Sequence, residues 1–135
     1  MTDPLDNSHT APKFASRDPV ATARWHQEHL NFPKIALYSE VDYAIVRRGK
    51  LVIHFWKCDD QNIAQNTSCY VELSNRNALD ALHAEIVAKS AVETFAPGRV
   101  HPTPIDAPGH GMREFHVWDP EGNLIGFGTE LQASK

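Results

Sequence analysis

The sequence has 135 residues, the usual length of one domain, and its 41% hydrophobic and 22% charged residues are typical of a globular protein. Seventeen acidic against thirteen basic residues give a net charge of −4, which excludes the basic surface typical of proteins that bind nucleic acid or anionic membranes. The two cysteines are too few for a disulfide scaffold, and the polar start of the chain has no signal-peptide pattern. These features predict a cytoplasmic protein with reduced thiols and no membrane span.

The first half of the chain predicts a strand, a helix and three more strands. Asp18 and Pro19 form a strong helix start, because Asp18 can cap free amide groups and Pro19 lacks an N–H that would have no partner there. The predicted elements are, in order, a flexible tail over 1–10, a strand over 12–16, a helix from Asp18 to 31–33, and strands over 35–38, 43–46 and 51–56, the last two joined by a turn at 48–50.

The second half repeats this order after a polar linker. We expect the linker over 58–66, a strand over 68–73, a helix capped by Asn75 and ending near Lys89, a loop over 91–111 with at most one short strand near Val100, and a hairpin of 112–118 and 124–129. The repetition indicates an internal duplication in one α+β domain over 11–135, with modules over about 11–58 and 67–131. An ordinary α+β sandwich with an accidental repetition is the alternative.

Three segments resemble the vicinal oxygen chelate superfamily, which contains glyoxalases, extradiol dioxygenases and bleomycin-resistance proteins. They are Ser-Arg-Asp at 16–18, WHQEHLNF at 25–32 and REFHVWDPEGNLIGF at 113–127. The helix ending and the Asp-Pro-Glu-Gly-Asn turn look most like those of bleomycin-resistance proteins. The resemblance implies two βαβββ modules, each a cupped sheet with a helix on its outer face. It also implies a homodimer in which modules pair to enclose cavities.

Enzymes of this superfamily hold a divalent metal inside the cup, and the resemblance locates the ligand positions. The position in the first strand falls near Ala11, and the position in the last strand falls on Gly126, so neither supplies a ligand. The other two fall on His54 and on Cys69 or Tyr70, with strand alternation favouring Tyr70. We therefore expect no metal cofactor.

A rearranged metal site is the alternative. If Phe115 and Val117 face the helix, Glu114 and His116 share the opposite face and are candidates to bind a divalent metal together with His54. His26 and His29 lie three residues apart on the first helix, and we interpret them as part of a solvated helix face.

Aromatic side chains are expected to fill the cup instead of metal ligands. Several match positions where bleomycin-resistance proteins carry rings, and such rings can stack flat heteroaromatic ligands or face cations. Those proteins often carry a tryptophan where this chain has only His110, a partial substitute. The predicted ligand-binding residues are Tyr38, Tyr43, His54, Trp56, Tyr70, His110, Glu114, His116 and Trp118.

The sequence is compatible with two functions. The first is a non-catalytic, homodimeric protein that binds and sequesters a small molecule of the bleomycin type and thereby confers antibiotic resistance. The second is a metal-dependent lyase or dioxygenase whose ligand set has shifted to His54, Glu114 and His116, where a metal would polarise a substrate oxygen. No nucleophile motif for a serine or cysteine hydrolase is present in the sequence.

Overall fold

The computed structural model describes residues 2–90 and 102–131, which form two β-sheets with helices packed against them. The first half contains β1 (Lys13–Ser16), α1 (Pro19–Leu30), β2 (Lys34–Tyr38), a 3₁₀ helix (Ser39–Val41), β3 (Tyr43–Arg48) and β4 (Leu51–Lys57). The second half contains α2 (Gln61–Gln65), β5 (Ser68–Glu72), α3 (Arg76–Ser90), β6 (Met112–Trp118) and β7 (Leu124–Glu130).

The two sheets repeat one topology, which confirms the predicted fold class. The first sheet has the order β1-β4-β3-β2, with β1 parallel to β4 and the other pairs antiparallel. The second has the order β5-β7-β6, with β5 parallel to β7. Residues 103–106 hydrogen bond to β6 as an incomplete edge strand, in the place that β2 takes beside β3. The chain is therefore an α+β protein of two βαβββ modules.

Helix α1 begins where the sequence predicts and covers the first sheet. The Asp18 carboxylate accepts a hydrogen bond from the Ala21 N–H at 3.1 Å, and Pro19 stands in the first turn. The helix ends at Leu30 and is followed by Asn31, which adopts a left-handed backbone conformation. Strand alternation turns Phe14 and Phe55 towards the helix, and both are fully buried.

The second module is built in the same way. The Asn75 side chain accepts a hydrogen bond from the Ala78 N–H at 2.8 Å, which confirms the predicted cap of α3. Leu79 and Ile86 of α3 pack in one core cluster with Phe115 and Phe127, whose rings are stacked 5.3 Å apart. The helix therefore covers one face of the second sheet, and no other helix in residues 2–90 and 102–131 covers the opposite face.

The turn between β6 and β7 joins the second module to the first through hydrogen bonds and charged contacts. Asn123 Nδ2 donates to the Ala15 carbonyl at 2.9 Å, and Arg17 contacts both carboxylate oxygens of Glu121 at 3.0 and 3.1 Å. Asp119 is buried in the same turn, and its Oδ2 lies 3.9 Å from Nε2 of the buried His26. His26 is therefore an interior residue of the junction, and its assignment to a solvated helix face was wrong.

The polar linker expected over 58–66 contains a short helix, α2, that was not predicted. Asp60 caps α2 by accepting a hydrogen bond from the Asn62 N–H at 3.0 Å. Its apolar anchor is Ala64, which is buried. The possible short strand near Val100 lies outside the described residues.

No helix in the described ranges is both long and apolar enough to cross a membrane.

Candidate functional site

The open face of the first sheet carries four of the predicted site residues. Ile53 and Phe55 of β4 are fully buried under α1, so alternation puts His54 and Trp56 on the opposite face. Tyr43 pairs with Trp56 across β3 and β4, and Tyr38 pairs with Tyr43 across β2 and β3. Tyr38 remains 50% exposed, so rings on this face stay accessible in the single chain.

His54 lies at the centre of this face. Its Nδ1 is 2.7 Å from the Tyr43 hydroxyl, and the two rings meet edge to face. Lys13 of β1 is its direct neighbour in the sheet, and the Lys13 Nζ lies 6.0 Å from the centre of the Tyr43 ring. Burial lowers the pKa of His54, and the positive charges of Lys13, Arg47 and His9 lower it further. His54 is therefore a neutral hydrogen-bonding group at neutral pH.

The open face of the second sheet is shaped by Tyr70 and two glycines. Tyr70 pairs with Gly126 in the parallel register of β5 and β7. A Cβ atom at Gly126 would lie 2.9 Å from Tyr70 Cδ1, and one at Gly128 would overlap the Tyr70 hydroxyl. The Tyr70 ring therefore lies flat across β7, which is possible because both positions lack a side chain.

Glu114 lies at the end of the Tyr70 ring and is in contact with several polar side chains. The Tyr70 hydroxyl donates to Glu114 Oε1 at 2.8 Å, and burial together with this hydrogen bond raises the pKa of Tyr70 to about 12. His110 Nε2 lies 3.1 Å from Oε1, and His116 Nε2 lies 3.5 Å from Oε2. Glu114 is only 7% exposed, so this face holds a nearly buried carboxylate beneath an aromatic ring.

The four positions that hold a metal in enzymes of this fold do not fit one here. The register puts the cationic Lys13, two residues after Ala11, beside His54. On the second sheet Tyr70 is the residue facing the cup, and its ring takes the space that a side chain at Gly126 would need. Lysine is a poor metal ligand beside histidine, and glycine offers none.

The rearranged metal set is divided between the two sheets. Phe115 and Val117 are buried, so Glu114 and His116 do share the opposite face, as expected. His54, however, belongs to the other sheet. Among residues 2–90 and 102–131 of a single chain, no group of three His, Cys, Asp or Glu side chains is placed to hold a metal ion.

The structure thus sorts the predicted site residues into two groups. Tyr38, Tyr43, His54 and Trp56 lie on the first open face, whereas Tyr70, His110, Glu114, His116 and Trp118 belong to the second sheet and its entry loop. Sequence reasoning missed Lys13 and the role of the two glycines. The glycines carry a readable signal, because a spacing of two residues in a strand puts both on one face.

A cavity of about 600 Å³ lies between the modules, away from most predicted site residues. Leu30, Phe32 and the β3–β4 turn line it on one side, while β5 and the apolar residues of α3 line it on the other. Tyr70 is the one predicted site residue in its lining.

Comparison with known proteins was made by sequence and by structure. No protein-family model matches the chain, and no curated protein matches it either. Solved structures match strongly. The bleomycin-binding protein from bleomycin-producing Streptomyces verticillus, complexed with copper(II)-bleomycin, is 30% identical, with 88% of this chain and 93% of that chain covered and a TM-score of 0.71.

Two further solved structures share the fold at lower identity. A bleomycin resistance determinant encoded on the transposon Tn5 is 22% identical, with 93% of this chain and 99% of that chain covered and a TM-score of 0.73. A lactoylglutathione lyase from Agrobacterium tumefaciens is 11% identical, with 91% and 93% covered and a TM-score of 0.63.

Two repeated βαβββ modules with open, cupped faces define the structural class of this protein. The 30% identity over nearly the full length of both chains then fixes its family. The protein belongs to the vicinal oxygen chelate superfamily of glyoxalases, dioxygenases and bleomycin-resistance proteins.

Proposed function

We propose that this protein binds and sequesters a planar small molecule of the bleomycin type without transforming it, and so confers resistance to the drug. The observation that carries the proposal is the Tyr70 ring lying over Gly126 and Gly128. This ring offers an aromatic surface where enzymes of the fold present a metal ligand. Stacking on such a ring contributes on the order of 1 kcal/mol.

The second sheet adds charge to this aromatic surface. Glu114 is nearly buried below Tyr70, with His110 and His116 beside it. A partly desolvated carboxylate interacts more strongly with a cationic or hydrogen-bond-donating ligand than an exposed one does. The proposed site therefore combines stacking with one fixed acceptor group.

A homodimer completes the proposed site. Each chain leaves two faces open, and Tyr38 and Tyr70 remain 50% and 46% exposed on them. We infer that two copies pair so that the first face of one copy meets the second face of the other. The rings of both groups would then contact a single ligand from opposite sides.

Titration of the purified protein with metal-free bleomycin tests the proposal. Calorimetry is expected to give saturable binding, and tryptophan fluorescence is expected to be quenched through Trp56 and Trp118. Tyr70→Ala should weaken binding about fivefold, the equivalent of one stacking contact. Trp25→Phe is the control, because Trp25 lies on α1, on the opposite side of the sheet from Trp56. Absence of heat and quenching at high micromolar ligand would reject drug binding.

A metal-dependent activity is distinguished by elemental analysis. We expect no stoichiometric zinc, nickel, manganese or iron in the purified protein. One equivalent of such a metal, lost in His54→Ala, would favour the metal-dependent enzyme and count against sequestration as the function. The lactoylglutathione lyase of similar fold makes this measurement necessary, because this fold serves both catalysts and binders.

A further inference from the structure

A second cavity lies at the end of the first sheet, where the N-terminal segment approaches β3 and β4. Its volume is about 380 Å³, and it is lined by Asn7, Ser8, His9, Arg47, Gly49, Lys50 and Val52. Val52 is buried, whereas Arg47 and Lys50 are exposed. The cavity therefore has an apolar floor and a basic rim.

The charge of this cavity is uniform. Among the described residues that line it, none is acidic, while Arg47, Lys50 and His9 are basic. The nearby Asp6 is engaged within its own turn, where it accepts a hydrogen bond from the Asp3 N–H at 3.1 Å. Cations gathered around one space repel one another, and an anion in that space would relieve the repulsion.

The floor of the cavity shares a face of the first sheet with aromatic residues. Val52 and His54 stand two residues apart on β4, and so share a face, and Trp56 follows at the same spacing. Lys13, beside His54, and Lys34, paired with Arg47, add further positive charge to this face. A flat ring packed on Val52 and His54 and an acidic group at Arg47, which pairs with Val52, would therefore lie on one face of the sheet.

We propose that this cavity is a subsite for the anionic group of an aromatic acid, such as a carboxylate, sulfonate or phosphate monoester. Arg47 presents two parallel N–H donors that match an oxyanion, and Lys50 supplies a second positive charge. The subsite goes beyond drug sequestration, because its ligand chemistry is defined by negative charge.

Paired probes test the subsite. Naphthalene-2-carboxylate and its uncharged carboxamide have the same ring system, so calorimetry with each isolates the contribution of the charge. The acid is expected to bind about tenfold more tightly than the amide at low salt, with the preference falling as salt rises. Inorganic phosphate should compete with the acid but not with the amide.

The variant Arg47→Gln/Lys50→Gln is expected to bind acid and amide equally. Arg24→Gln/Lys89→Gln is the matched control, since it removes the same two charges from exposed positions on α1 and α3 and should keep the preference. Circular dichroism checks that both variants fold. Equal binding of acid and amide to the natural protein, binding of neither, or survival of the preference in the Arg47/Lys50 variant would overturn the subsite. None of these outcomes depends on whether bleomycin binds.

Discussion

At the scale of single residues, two glycines decide the shape of the second open face. Gly126 and Gly128 are adjacent on one side of β7, and both are covered by the ring of Tyr70. Glu114 then anchors the ring through the phenol hydroxyl. The two glycines therefore shape the proposed binding face, because a side chain at either position would displace the ring.

Gly128→Ala is expected to displace Tyr70 from Glu114, since the added methyl group would overlap the hydroxyl. The unfolding free energy should fall by about 1 kcal/mol, as for other overpacked sites. Urea unfolding measures this loss. The double variant Gly128→Ala/Tyr70→Ala removes the overlap, so adding the glycine change to Tyr70→Ala should cost little. A full loss in both backgrounds would show that Tyr70 is not the cause.

Asp119 makes folding sensitive to pH. Burial raises its pKa to about 7, although hydrogen bonds from Asn123 and Glu121 act in the opposite direction. The pKa of an aspartate in the unfolded chain is about 3.9. Between about pH 4 and 7 the folded state therefore holds the proton and the unfolded state does not. The contribution of Asp119 to the unfolding free energy therefore decreases as pH rises through this window.

The variant Asp119→Asn should flatten this decline, as measured by urea unfolding at a series of pH values. His26 on α1 and Glu121 in the same turn lie beside Asp119, so we expect the variant to reduce the decline rather than abolish it. Asp42→Asn, at an exposed position, should keep the slope of the natural protein. An unchanged slope in Asp119→Asn would mean that another group causes the decline.

At the scale of elements, the junction between the modules depends on charged contacts as well as apolar packing. Arg48 at the end of β3 holds both oxygens of Glu85 on α3, at 2.6 and 3.1 Å, and also donates to the Leu30 carbonyl. The hydrogen bond with Arg48 lowers the pKa of Glu85. This contact therefore links the first sheet, the end of α1 and α3.

Glu85→Gln is expected to lower the unfolding free energy at pH 7 by about 0.5 kcal/mol, because both side chains are 35% exposed and solvent screens the pair. The contribution of Glu85 to the unfolding free energy is present above the pKa of about 4.3 that a glutamate has in the unfolded chain. It is lost as pH falls through the lower pKa of Glu85 in the folded state. The variant and the natural protein should therefore converge in stability at low pH. Glu28→Gln, exposed on α1, is the control. A difference that persists at low pH would contradict an electrostatic origin.

At the scale of the whole molecule, the single chain has two open faces with partly exposed rings and unequal charge. Lys13 and Lys34 stand on the first face, while Glu72 and Glu114 belong to the second sheet. Faces of opposite charge are complementary, which supports the proposed pairing of the first face of one copy with the second face of another.

Light scattering after size exclusion is therefore expected to give twice the mass of one chain at micromolar concentration. Raising the salt concentration should weaken the association, since part of the attraction is between exposed charges. A mass of one chain throughout the micromolar range would contradict the dimer and would leave each face to bind ligand alone.

The sequence by itself determined the order of the main helices and strands, although it did not predict the short helix α2. Capping by Asp18 and Asn75, the glycine turn at Gly49 and the alternation around Phe55 and Phe115 are local or periodic signals, and all appear in the structure. The motif resemblance likewise identified the superfamily. Most of the candidate site faces followed from alternation once one buried residue in each strand was known.

Only the tertiary structure decided which residues meet across strands and modules. The register that puts Lys13 beside His54, the ring of Tyr70 over two glycines, and the buried pair of His26 and Asp119 all join residues far apart in the chain. Such contacts depend on how strands align and how turns pack, and a shift of one residue would reverse every face. For that reason the sequence identified the candidate aromatic residues, whereas the tertiary structure determined which residues surround them.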